Sequence, residues 1–70
     1  MIEVFKTNVQ NGNQASAVLK TLSGFAPQAK INFDLEDCDK ILRVEAENIS
    51  SHLVINLMNK MNYLCEVLPD

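Results

Sequence analysis

Along the first nine residues, apolar side chains fall on both parities: Ile2 and Val4 on one, Phe5 and Val9, with Thr7 between them, on the other. A period of two with both faces furnished predicts a strand inside a sheet. The rhythm then changes. Ala15, Val18, Leu22 and Phe25 recur at three- and four-residue spacing, which predicts a helix over about 13–25. Asn11 or Asn13 is available as its N-cap, and Gly24 and Pro27 as its stop. In "AKINFDLE" alternation returns, with Ile31, Phe33 and Leu35 inward and Asn32, Asp34 and Glu36 outward. In "ILRVEAE", Leu42, Val44 and Ala46 face in and Arg43, Glu45 and Glu47 face out. Asp37–Lys40 lies between these two strands as a polar hairpin loop. Ser50 or Ser51 caps a second helix that buries Val54, Leu57, Met58 and Met61. Asn62 closes that helix, because Asn tolerates a left-handed backbone. "YLCEVLPD" reads as a last strand, with Tyr63, Cys65 and Val67 on one face.

The order strand, helix, strand, strand, helix, strand runs without linker or repeat. It predicts one α+β domain over residues 1–70, a ferredoxin-like βαββαβ sandwich. Its four-stranded antiparallel sheet would run 4-1-3-2, with both helices on one face. Three connections then share one end of the sheet: Asn8–Asn13, Asp37–Lys40 and the turn at Asn62. Loops held by a rigid scaffold commonly carry function, so a site is expected there.

Size and charge narrow the function classes. A chain of 70 residues buries only about 60% of its unfolded surface, which leaves little room for a deep catalytic cleft. The net charge is −3, and the cations Lys6, Lys20, Lys30, Lys40, Arg43 and Lys60 are scattered. No basic stripe is offered to nucleic acid. No apolar run approaches the ~20 residues of a membrane span. The start "MIEVFKTNVQ" lacks a cationic, then apolar, signal pattern, so the expected location is cytoplasmic, with Cys38 and Cys65 reduced.

Candidate chemistry is sparse. "FDLEDC" and the following Asp39 concentrate carboxylates and a thiol, yet the spacing fails as an EF-hand: the sixth position from Asp34 is Asp39, not glycine. Cys38 with Asp37 and Asp39 can supply zinc or copper ligands. The plainer reading is a solvated hairpin whose charges protect a sheet edge. Strand order separates Cys38 from Cys65, so no disulfide is expected. His52, the one histidine, has no nucleophile or carboxylate at a catalytic spacing, and no enzyme is predicted. Met58 and Met61 have core spacing. The last strand carries only Glu66 among apolar and aromatic neighbours, and its edge at Tyr63, Cys65 and Val67 is a candidate for strand addition by a protein partner or a second copy.

Taken together, these features resemble the heavy-metal-associated (HMA) domain family of copper chaperones and metal-pump N-terminal domains. Phe5, Thr7 and Val9 look like that family's alternating buried positions, and Val18, Leu22 and Phe25 like its first helix face. "INFDLEDCDKILRVEAE" resembles its strand-hairpin-strand, and Asn62-Tyr63 its turn before the last strand. The family's two metal-binding cysteines fall at Asn11 and Gln14, with Val9 in the methionine place. Neutral amides bring no charge to a soft ion and bind it weakly. The resemblance therefore implies the family's fold with a degenerate metal loop: a small non-catalytic binding or interaction module without cofactor. The alternative is a transition-metal-handling protein with other ligands, Cys38 with its neighbouring carboxylates or a site shared between chains.

Overall fold

The computed structural model describes residues 2–69. In chain order it contains β1 (Ile2–Thr7), α1 (Gly12–Phe25), β2 (Lys30–Asp34), β3 (Ile41–Glu45), α2 (Ser51–Lys60) and β4 (Cys65–Val67). The strands form one sheet in the order β2-β3-β1-β4, with every neighbouring pair antiparallel. This is the expected 4-1-3-2 arrangement read from the opposite edge.

Register explains the core. Phe5 and Phe33 lie opposite Leu42 from its two sides, and Ile31 lies opposite Val44. These side chains join Ala15, Val18 and Leu22 of α1 and Val54, Leu57 and Met58 of α2 in one cluster, completed by Val9 and Ile49 from the loops. Both helices therefore cover the same sheet face. Fully burying a side chain such as Phe5, Leu42 or Met58 stabilises by roughly 1.5–3 kcal/mol. The other parity stays open: Ile2 is 55% exposed, and Lys6, Asn32, Asp34, Arg43, Glu45 and Glu66 are exposed beside it. The apolar residues on both parities of β1 thus mark its central position, between β3 and β4, and not a second covering layer.

Several boundaries shift from the sequence reading, each for a local reason. Gly24 lies inside α1 and has no positive φ, so it is not the stop. Ala26 caps the helix by donating its N–H to the Leu22 carbonyl at 2.9 Å, and Pro27 follows. Phe25, expected on the buried stripe, is 62% exposed. At four residues after Leu22, Ala26 takes the inward place and packs against the core. Strand β2 stops at Asp34, because Lys40 across the hairpin turns to φ 48° and leaves the extended conformation. Leu35 still packs against the core, but from the turn. Similarly, Ala46 lies past the end of β3: Glu45 is already opposite the strand ends at Ile2 and Lys30.

The last strand is only three residues long, not the longer one that "YLCEVLPD" predicts. Tyr63 donates its N–H to the Met58 carbonyl at 2.9 Å, so its backbone closes α2. Asn62 makes that closure with φ 68°, as its side-chain chemistry predicts. Of the two possible caps for each helix, Asn11 and Ser50 are used.

Candidate functional site

The three connections do share one end of the sheet, and specific bonds join them. Thr7, the last residue of β1, is the one buried polar residue among the described residues. Its N–H donates to the Asp39 carbonyl at 3.0 Å, and its hydroxyl to the Lys40 carbonyl at 2.6 Å. Val9 in turn donates its N–H to the Thr7 hydroxyl oxygen at 3.3 Å. One threonine thus ties the β2–β3 hairpin to the loop after β1. Asn8 ties in the third connection, accepting the Leu64 N–H on its side-chain oxygen at 2.8 Å. It stands where a backbone carbonyl would be if β1 continued. Sequence reasoning treated Thr7 only as an inward strand position and missed Asn8. The available signal was a hydroxyl on an otherwise apolar parity, since a buried hydroxyl requires a partner.

At Asn11 and Gln14, the side chains are occupied with the backbone. Asn11 accepts the Gln14 N–H on its side-chain oxygen at 2.9 Å. The Gln14 side-chain oxygen accepts the Gln10 N–H at 2.8 Å. The arrangement is a capping box shifted by one residue: Asn11 satisfies a donor that the helix start would leave bare, and Gln14 reaches back to the Gln10 N–H just before the cap. Asn11 and Gln14, the positions at which the resemblance places metal-binding cysteines, form the α1 cap here.

Asp37, Cys38 and Asp39 do come together, with one potential ligand atom of each within 4.8 Å of the others. Both carboxylates also have roles in the hairpin. Asp37 accepts the Asp39 N–H at 2.8 Å, which folds the tip, and its carbonyl accepts the Lys40 N–H at 3.0 Å. Asp39 lies 3.7 Å from the Lys6 ammonium, a half-exposed pair of the kind worth 0–1 kcal/mol. The Lys40 ammonium donates to the Leu35 carbonyl at 3.0 Å, holding the tip against the turn.

The cysteines are not joined: both are free, Cys38 exposed and Cys65 half-buried. Burial pushes the Cys65 thiol up to about 12 from an ordinary 9.0, so at neutral pH it is a small apolar side chain. His52 is exposed in the first turn of α2, and its N–H donates to the Ser50 hydroxyl oxygen at 3.0 Å.

Two surfaces remain. Of the predicted interaction edge, Cys65 and Val67 lie in β4 at the end of the sheet, whereas Tyr63 lies outside the strand. Leu64, next to it, is 69% exposed. At the opposite end from the loops, Phe25, Pro27, Lys30, Glu47, Ile49 and Leu53 line an open groove of about 660 Å³. Sequence reasoning missed it because Phe25 matched the buried helix period. No helix among the described residues is long and apolar enough to cross a membrane. No family model matches the chain, and neither a curated protein nor a solved structure matches it significantly.

Proposed function

We propose that this chain is a small, non-catalytic, HMA-like interaction module in which the metal loop has become a helix cap. The sheet order, with two helices on one face, supports a ferredoxin-like βαββαβ assignment, on which the family likeness rests. The observation that carries the functional reading is the mutual use of Asn11 and Gln14. Side chains committed to backbone donors, and incapable of becoming anionic, make a poor Cu(I) clamp. The module takes no cofactor and binds a protein partner at the β4 edge. Its proposed setting is the cytoplasm, where unpaired thiols persist.

Competition against a Cu(I) chelator tests this. The wild-type chain is expected to lose the ion, and the Asn11→Cys/Gln14→Cys double variant to retain it. Stoichiometric, chelator-resistant Cu(I) on the wild type sinks the reading. A second reading is favoured by the convergence of Asp37, Cys38 and Asp39. One thiolate and two carboxylates suit zinc, with a fourth ligand from water or a second chain. Native mass spectrometry with Zn²⁺ supports it if one ion is retained by the wild type and lost in Cys38→Ser.

A further inference from the structure

The β4 edge has a definite hydrogen-bonding pattern. Leu68 donates its N–H to the Val4 carbonyl at 2.8 Å. Backbone groups alternate along a strand, so Glu66, opposite Lys6, also directs its N–H and C=O toward β1. Cys65 and Val67 therefore direct theirs away, to the side where the sheet ends. An added antiparallel strand meets four backbone groups there. The Glu66 side chain stands between them on the open sheet face.

This pattern discriminates among occupants. In a symmetric pair of two β4 edges, the register that uses all four groups puts Cys65 opposite Val67. It also puts Glu66 opposite Glu66 of the second copy, at the close, non-hydrogen-bonded spacing of about 4.5 Å. Like charges directly opposite are destabilising. Sliding two residues one way brings Val67 opposite Tyr63, whose N–H is already given to Met58. Sliding the other way brings Cys65 opposite Pro69, which has no N–H. Each of these three symmetric β4–β4 registers thus loses bonds or opposes charges.

Within the molecule, the strand on the other side of Glu66 places Lys6 opposite it. The Lys6 ammonium lies against Asp39, in the ion pair found among the described residues. We propose that the β4 edge receives an extended segment of another protein with the pattern apolar, Lys or Arg, apolar. Its cation would stand opposite Glu66, and its flanking residues would bond Cys65 and Val67. The inference rests on the interaction-module reading and names the partner's chemistry.

The test uses the full chain, ¹⁵N-labelled, with two blocked seven-residue β-rich peptides identical except for a central Lys or Glu. The Lys peptide is expected to bind about fivefold more tightly, with the largest shifts and slowed hydrogen exchange at the Cys65 and Val67 amides. Glu66→Lys is expected to reverse the preference. Equal affinity for both peptides overturns the charge inference while leaving edge docking, and the module reading, standing. Binding of neither peptide, shifts centred elsewhere, or protection of these amides by self-association in the absence of peptide also overturns it. Tight Cu(I) binding by the wild type removes the module reading whatever the peptides do.

Discussion

Phe5 and Phe33 flank the same leucine, Leu42, on the helix-covered side of the sheet, yet their surroundings differ. Phe5, on a central strand, is fully buried, whereas Phe33, on the edge strand β2, is half-buried. Phe5→Ala is expected to cost ~3–5 kcal/mol, most of the stability of so small a domain. Phe33→Ala should cost roughly 1–3 kcal/mol, in proportion to the smaller area returned to water. Urea unfolding of both variants checks the order. The two cysteines divide by environment in the same way. Exposed Cys38 is expected to be alkylated in the native protein at pH 8, and Cys65 only on unfolding, as peptide mapping by mass spectrometry would report. Because the folded-state pKa of Cys65 is raised, its contribution to stability is fully present below pH 9 and is lost as pH rises toward 12. Cys65→Ala removes that part of the alkaline loss. A Cys65→Ala variant whose stability falls as steeply as the wild type's between pH 9 and 12 contradicts this assignment.

Elements here are ended by side chains as much as by propensity. Asn11→Ala is expected to lower stability by about 0.5–2 kcal/mol, because the Gln14 N–H loses its acceptor at the start of α1. Any thiol-restored loop carries the same loss, so Asn11→Cys/Gln14→Cys should melt lower without metal and recover with Cu(I) bound. Thermal melts with and without the ion separate the two effects. Asn62, at φ 68°, should accept Gly with little change and lose ~1–2 kcal/mol on substitution by Ala, which resists the left-handed region. Both caps were legible, as Asn before one periodic run and Ser before the other. The early ends of β2 and β3 were not, since alternation continues through Leu35 and Ala46 while their ladder partners have already ended.

For the whole molecule, the decisive quantity is what the two sheet edges and the open face meet. On the proposal that Glu66 opposes its own copy across a symmetric β4 pair, the wild type is expected to sediment as a monomer. Glu66→Gln should then show weak, concentration-dependent association, because removing the opposed charges leaves four backbone groups ready to pair. Equal monomer content in both proteins at millimolar concentration would show that Glu66 is not the barrier.

Periodicity by itself determined the order of the six elements, the parity that faces the helices and the residues able to cap them. These are local properties, set by whether a side chain repeats every two or every 3.6 residues and by which short polar groups satisfy a bare N–H. Absence of a thiolate pair at Asn11 and Gln14 was likewise visible at once. Tertiary structure alone decided depth and meeting points. Phe25 matched the buried period but lies outside, because Ala26 fills the inward place. Thr7 looked like one more strand position but bonds the hairpin, because β1 ends beside it. Glu66 became the centre of an edge only once its register with Lys6 was known. Burial, cross-strand register and loop-to-loop bonds depend on residues far apart in the chain, and no local pattern carries that information.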